Sequence, residues 1–248
     1  MKLYEIVSFL NSYLNISEWE NIDSSKNGLQ VESCNSIEKV AFSVDACMDS
    51  FKKAVETKAN LLITHHGLFW KDFKGITGIM AKRLKYLIKN ELSLYAAHLP
   101  LDAHPEVGNN IQIAKILEMD IEGAFAQYHG KTIGFYGKIE DSINNIAKKL
   151  EEKLKTKPLV LEFSKNISKA GVVSGRGGFS IYDAEKLDID LLITGEAEHS
   201  IYHTAKELGI SLIFAGHYAT EVVGLKALMK KVRELGLETV FIDCPTGI

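Results

Sequence analysis

Two segments of the chain follow the same plan, and polar residues follow the buried strands in both. In the first, residues 60–67 (NLLITHHG) lead through a helix-like stretch to residues 93–98 (SLYAAH). In the second, residues 190–196 (DLLITGE) lead through a similar stretch to residues 211–217 (SLIFAGH). Short apolar strands that alternate with helices predict an α/β fold, and their repetition predicts two similar halves. The alternative is a chance likeness between ordinary α/β units.

The alternation of strands and helices continues along most of the chain. The predicted helices cover residues 2–14, 48–58, 79–90, 109–117, 142–154, 183–187, 198–208 and 218–235. The predicted strands cover residues 40–44, 61–64, 93–97, 132–137, 159–163, 171–174, 191–194, 212–214 and 240–242. This order predicts mainly parallel sheets that are covered on both faces. We place the halves at residues 1–127 and 128–248, interdigitated closely enough to count as one structural domain.

Size and composition restrict the class of protein. The 248 residues are 46% apolar, which is enough for a sizeable core, and the net charge is only −3 with no evident basic patch. These values do not favour binding to duplex nucleic acid. Three well-separated cysteines predict neither a disulfide framework nor a cysteine zinc site. We find no signal peptide and no membrane span, so we expect a cytoplasmic protein.

The residues that follow the strands are of the types that bind metal ions. They are His65, His66, His98, Asp102, His217 and Glu221. In open parallel sheets, ligands bind beyond the carboxyl ends of the strands, so we expect a metal site there, between the two halves. Imidazoles combined with carboxylates suit Zn, Mn, Fe, Co or Ni better than Ca or Mg. Adjacent histidines leave a strand in different directions, which favours two divalent transition-metal ions over one. A bridging carboxylate and positions open to water would be typical of a catalytic site.

Other residues allow more than one interpretation. His98 is a metal ligand, a proton carrier or an ordinary strand-end histidine, and Glu196 is a second candidate proton carrier. The glycine-rich turn at residues 174–180, which contains Arg176, either holds a phosphate group or is a flexible turn. The aromatic segment at residues 69–73 covers the site, stacks on a ring or packs at a subunit interface.

The sequence resembles the GTP cyclohydrolase 1 type 2 homologues, also called the NIF-three-like family. The matching stretches are residues 27–31 (NGLQV), 64–67 (THHG), 98–102 (HLPLD), 108–110 (GNN), 195–196 (GE) and 216–221 (GHYATE). They occur in order over nearly the whole chain, which is similar to the short members without an inserted domain. The resemblance implies two α/β halves around a dinuclear metal centre and a ring-shaped homohexamer.

The resemblance also implies a role for each candidate ligand. By position, His65 and His217 would hold one ion, and His66 and Asp102 would hold the other. Glu221 would contact both ions, and His98 would be a near neighbour. The family name implies opening of the purine ring of GTP, although a fold and a metal site do not fix a substrate.

Three functions are compatible with these residues. The first is a metal-dependent hydrolase that acts on a nucleotide-like or related small molecule. The second is a non-catalytic, metal-stabilised ring that acts as a scaffold for nucleic acid or protein partners. In the third, the metal ions only stabilise the fold.

Overall fold

The computed structural model describes all 248 residues, which form alternating helices and strands. The α-helices are α1 (Leu3–Tyr13), α2 (Met48–Glu56), α3 (Gly78–Lys89), α4 (Leu99–Asp102), α5 (Asn109–Ile116), α6 (Ile143–Leu154), α7 (Ile181–Lys186), α8 (Tyr202–Leu208) and α9 (His217–Arg233). The β-strands are β1 (Gly28–Val31), β2 (Lys39–Asp45), β3 (Leu61–His66), β4 (Ser93–Ala96), β5 (Asp120–Tyr128), β6 (Lys131–Lys138), β7 (Leu159–Leu161), β8 (Lys169–Val173), β9 (Leu191–Thr194), β10 (Ser211–Phe214) and β11 (Glu238–Phe241). No helix combines the length and the apolar character that a membrane crossing requires.

The chain divides into two compact units, each built around one sheet. The first unit comprises residues 1–101 and 225–244, and the second comprises residues 102–224 and 245–248. The strand order is β1-β4-β3-β2-β11 in the first unit and β5-β6-β8-β9-β10-β7 in the second. The predicted α/β class with two similar halves is confirmed.

The two sheets repeat the same arrangement of four strands. In the first unit, β2, β3 and β4 are parallel neighbours, and β1 lies antiparallel against β4. In the second unit, β8, β9 and β10 are parallel neighbours, and β7 lies antiparallel against β10. The predicted parallel strands therefore form the centre of each sheet, with an antiparallel strand at the equivalent edge.

Polar residues at the strand starts support the repeat. The Asn60 side-chain oxygen accepts from the backbone N–H groups of Glu38 and Lys39, at the start of β2. The Asp190 carboxylate accepts in the same way from the N–H groups of Ser168 and Lys169, at the start of β8. Each side chain fixes the entry into a parallel strand by satisfying N–H groups at its start.

The second sheet is less parallel than predicted because it begins with a long antiparallel hairpin. Strand β5 pairs with β6 through a turn at His129 and Gly130, whose φ angles of 47° and 88° are those of a type I′ turn. Most β5 residues are exposed or half-buried, so the strand shows no apolar run that would predict it. The boundary that we predicted between residues 127 and 128 falls inside this strand, and β11 returns to pair with β2 in the first sheet.

Each unit has its own apolar core beside its sheet. In the first, Phe51 of α2 packs with Leu62 of β3 and Leu94 of β4. In the second, Ile146 and Leu150 of α6 are buried, as the apolar spacing of that helix predicted. The cores hold the sheets rigid, so the side chains just beyond the strand ends stand on fixed positions.

Candidate metal-binding residues

Three histidines cluster at the carboxyl ends of β3 and β4 in the first unit. His65 and His66 end β3, and His98 follows β4. The ring centroids of His65 lie 4.8 Å from His66 and 5.0 Å from His98, and His66 lies 5.7 Å from His98. One nitrogen atom of each ring lies within 4.8 Å of the others. This spacing is that of a group able to share a cation.

The Nδ1 atom of each of these histidines contacts a hydrogen-bond acceptor. The contacts are His65 with the Ala97 carbonyl oxygen at 2.9 Å, His66 with Asp45 Oδ1 at 2.8 Å, and His98 with Asp23 Oδ1 at 2.8 Å. A carbonyl oxygen or an ionised carboxylate only accepts, so Nδ1 carries the proton in all three rings. In the neutral form of each ring, the Nε2 atom then keeps its lone pair. Metal-binding histidines in proteins are oriented in the same way.

Asp23 fixes His98 from a buried position. Its carboxylate is 5% exposed and also accepts from the backbone N–H groups of Ser25 and Leu99 and from the amide of Asn27. Burial alone would raise the pKa of Asp23. The hydrogen bonds and the charge of His98 outweigh burial and hold the pKa below its ordinary value. Asp23 is therefore ionised at neutral pH, and the groups that hydrogen-bond to it compensate for the burial of its charge.

The aromatic segment lies beside the histidine cluster. The Trp70 ring is 5.1 Å from the His98 ring and 6.2 Å from the His66 ring, and Trp70 Nε1 donates to the Gly67 carbonyl at 3.1 Å. Among the interpretations of residues 69–73, this placement supports a cover over the site. An apolar wall next to imidazoles limits the access of water to them.

The second unit brings a histidine and two carboxylates together at the start of α9. His217 Nε2 lies 3.0 Å from Glu221 Oε1, one helical turn away, and His217 Nδ1 lies 2.6 Å from Glu196 Oε1. Burial alone would lower the pKa of His217, but the hydrogen bonds and charges of the two carboxylates outweigh it and raise the pKa to about 9. Because Glu221 is only 2% exposed, its charge needs a cationic partner. A protonated His217 is such a partner, and a metal ion between the same two atoms is another.

Asp102 is buried in the second unit with its orientation fixed. Its Oδ1 atom accepts from Asn109 Nδ2 and from Ser174 Oγ, both at 2.8 Å. Asn109 is itself held by the N–H group of Gly224 at 2.8 Å. Carboxylates that bind metal ions are usually oriented by hydrogen bonds of this kind.

Three glycine N–H groups of the glycine-rich turn form hydrogen bonds within the protein. One interpretation of the sequence had these groups hold a phosphate. The N–H of Gly175 donates to Thr220 Oγ1 at 3.0 Å, and that of Gly177 donates to Thr194 Oγ1 at 2.9 Å. The Gly178 N–H donates to the Glu198 carboxylate at 3.1 Å, which also binds Arg176. The N–H groups of these three glycines are thus engaged within the second unit, and none of the three is left for a phosphate group.

Gly175 instead allows the backbone to approach the site. A Cβ atom on this residue would lie 2.5 Å from Glu221 Oε1 and 3.2 Å from His217 Nε2, and its φ of 58° is left-handed. Any side chain would therefore occupy the space where these two ligand atoms meet. The preceding residue, Ser174, binds Asp102, so one turn contacts all three candidate ligands of the second unit.

Comparison with known proteins identifies a family that matches nearly the whole chain. The sequence profile of the family described as Duf34/NIF3 (NGG1p interacting factor 3) matches residues 1–247. The chain belongs to this family. A relative from Pyrococcus abyssi, named GTP cyclohydrolase 1 type 2 homolog, is 49% identical over the full length of both chains. The family resemblance inferred from the sequence is thereby confirmed.

Solved structures of the family show the same fold. A protein from Thermus thermophilus is 39% identical with a TM-score of 0.91, and the match covers all of both chains. The protein ybgI, described as having unknown function, is 34% identical with a TM-score of 0.93, again over all of both chains. These likenesses establish the fold of the family and leave its chemistry open.

Within each unit, the structure brings the predicted residues of this family member together. His65, His66 and His98 form one group, and His217 and Glu221 form a contact pair. His98 lies as close to His65 and His66 as a third ligand would, whereas the resemblance implied that it is only a near neighbour of the ligands. The predicted sharing of ions between His65 and His217, and between His66 and Asp102, stays a prediction.

Several supporting residues were not predicted. Asp23, Asp45, Asn109 and Ser174 contact candidate ligands, and this role was predicted for none of them, although residues 108–110 and 174–180 had been noted for other reasons. Asp45 ends β2 and stands in register with His66, so an alignment of the strand ends would have revealed it. The role of Glu196 as a proton carrier stays a prediction, but its observed contact is with His217.

Proposed function

We propose that this chain is a metal-dependent hydrolase that acts on a nucleotide-like or related small molecule. In this proposal His65, His66, Asp102, His217 and Glu221 hold two divalent transition-metal ions at one dinuclear centre. The donor set of imidazoles and carboxylates suits Zn, Mn, Fe, Co or Ni. The name of the relatives, GTP cyclohydrolase 1 type 2 homolog, supports a nucleotide-like substrate.

One observation carries the proposal. All four histidines of the two groups have Nδ1 within 2.9 Å of a carboxylate or a carbonyl oxygen. A histidine that serves only packing needs no such partner, whereas a metal ligand needs a fixed tautomer and a fixed ring plane. The same restraint at His65, His66 and His217 supports metal binding at Nε2 of these three residues.

The chain's own residues would then orient the ligands and move protons. Bound divalent ions would supply Lewis acidity and lower the pKa of a water molecule. Asp23 holds the Nδ1 side of the His98 ring, which leaves Nε2 as the atom that would take up or release a proton. Glu196 would hold the ring of His217, and Trp70 would restrict water around His66 and His98.

The decisive experiment combines metal analysis with a product screen. We expect purified chain to contain two transition-metal ions and to convert at least one compound among nucleotides, pterin precursors and phosphoesters. Glu221→Gln should abolish this turnover with the fold retained, because the amide cannot replace the buried charge at the ligand position. Glu207→Gln, on the exposed face of α8, is the matched control. Turnover that survives in Glu221→Gln would refute the assignment.

We also propose the homohexamer that the resemblance implies. Light scattering coupled to size-exclusion chromatography should give a mass six times that of the 27.6 kDa chain. A monomer at all concentrations would contradict this part of the proposal and leave the metal assignment standing.

A further inference from the structure

The first unit contains a large cavity to which the hydrolase proposal assigns no ligand. Its volume is about 790 Å³, within the range of roughly 300–1,000 Å³ that small-molecule sites occupy. Four aromatic side chains line it, namely Trp19, Phe69, Trp70 and Phe73. Aromatic side chains at this density are typical of sites that recognise flat rings.

The walls of the cavity are held in place before any ligand arrives. The Lys26 N–H donates to the Phe69 carbonyl at 2.9 Å, and the Lys71 N–H donates to the Ser24 carbonyl at 2.9 Å. These bonds join the loop at residues 23–27 to the aromatic segment at residues 69–73. The Phe69 and Phe73 rings also contact each other edge to face at 5.0 Å. A preformed wall reduces the ordering cost of binding.

A buried hydroxyl group in the wall lacks a partner. Ser25 lines the cavity and is 6% exposed, and its Oγ atom has no hydrogen-bond partner within the chain. A buried polar group without a partner is unfavourable by about 1–3 kcal/mol. A ligand with a hydrogen-bonding group at its edge would remove that cost, whereas a purely apolar ligand would not.

We propose that this cavity binds a planar heteroaromatic ring through stacking on the aromatic side chains and a hydrogen bond to Ser25. The Trp70 ring, which lines the cavity, is also 5.1 Å from His98, so a bound ring lies beside the histidine cluster. The proposal goes beyond the hydrolase assignment, because ring binding requires neither a metal ion nor turnover. Its failure and that of the hydrolase assignment are therefore separable.

Intrinsic fluorescence offers a direct test. The chain contains only two tryptophans, Trp19 and Trp70, and both line the cavity. Full-length chain freed of metal with a chelator is titrated with guanosine, and ribose and inorganic phosphate serve as ring-free probes. We expect saturable quenching by guanosine and none by the ring-free probes. Equal responses to all three probes, or no response to guanosine, would overturn the proposal.

Two variants locate the binding. Phe73→Ala should weaken guanosine binding about tenfold, the usual effect of losing one stacking surface. Phe179→Ala in the second unit is the matched control, because Phe73 and Phe179 are 42% and 43% exposed. Ser25→Ala should also weaken binding while the circular dichroism spectrum stays unchanged. Equal guanosine affinities in wild type, Phe73→Ala and Ser25→Ala would show that the ring binds elsewhere.

Discussion

His217 Nδ1 and Glu196 Oε1 lie 2.6 Å apart, and His66 Nδ1 and Asp45 Oδ1 lie 2.8 Å apart in the other unit. In both contacts a carboxylate from a neighbouring strand end holds the Nδ1 edge of an imidazole ring. The orientation of each histidine therefore depends on a residue distant in the sequence. Loss of the carboxylate should weaken metal binding even where the histidine is intact.

Glu196→Gln tests this dependence. The amide keeps the shape of the side chain but removes the charge that supports His217. We expect zinc affinity to fall about 10- to 100-fold, as is usual when the partner of a ligating histidine is lost. Isothermal titration calorimetry measures the affinity, and Glu207→Gln provides the comparison. An affinity equal to wild type would remove Glu196 from the site.

The raised pKa of His217 predicts opposite effects of pH on stability and on metal binding. Its pKa is about 9 in the folded metal-free chain and about 6.5 when unfolded. The stabilisation is complete below the unfolded pKa and is lost as the pH rises through the folded one. Metal-free chain should therefore become easier to unfold between these values. Metal binding must displace the proton, so affinity should rise over the same interval.

Both trends are measurable with one protein preparation. Urea unfolding across the interval gives the stability of the metal-free chain, and calorimetry in buffers of different ionisation enthalpy gives the protons released on zinc binding. We expect His217→Gln to flatten the stability profile. A wild-type profile that is already flat would mean that His217 is not the titrating group.

Asp23→Ala tests the buried support of His98. The substitution leaves the Ser25 and Leu99 N–H groups without their acceptor. We expect a loss of about 3 kcal/mol in the free energy of unfolding, since each unsatisfied buried donor costs roughly 1–3 kcal/mol. Asp72→Ala, at an exposed position in the same unit, should have little effect. Urea denaturation at neutral pH measures both.

Acid should reproduce part of this effect in the wild type. The folded pKa of Asp23 is lowered, so its stabilisation is present above the unfolded value of 3.8 and is lost as the pH falls through the folded value. The difference in stability between wild type and Asp23→Ala should therefore shrink in strong acid. A constant difference at all pH values would contradict the ionised state of Asp23.

Gly175→Ala tests the close approach of the backbone to the ligands. The new methyl group would collide with the Glu221 carboxylate, and the left-handed backbone adds about 1–2 kcal/mol of strain. We expect the zinc affinity of the chain to fall strongly, because His217 and Glu221 could no longer meet at an ion. Gly78→Ala is the matched control, because its φ of 53° is similar and no atom lies within 4 Å of the added Cβ. Equal zinc affinities in the two variants would refute a special role for Gly175.

The parts of the structure that follow from local pattern were predicted. The strands that end at His66 and Thr194 are short, buried runs rich in apolar residues, and such runs identify buried parallel strands. Strand β5 was missed because its residues are mostly exposed and it forms only by pairing with β6. Pattern alone does not detect a strand whose stability comes from its neighbour.

The support of the candidate site was harder to predict than its ligands. Histidines after a strand are conspicuous, but Asp23 lies in a polar loop 75 residues from His98, and nothing local distinguishes it from other loop aspartates. The turn that contains Gly175 was expected either to hold a phosphate group or to be flexible. The structure shows that Gly175 leaves space near Glu221. Both roles depend on contacts between distant segments.

Strand β11 pairs with β2 across nearly the whole length of the chain. During synthesis, β2 therefore has an unsatisfied edge until residues 238–241 emerge from the ribosome. An exposed edge strand invites pairing with other chains. A nascent or truncated chain that stops before residue 238 should thus aggregate, because it lacks the strand that closes the first sheet.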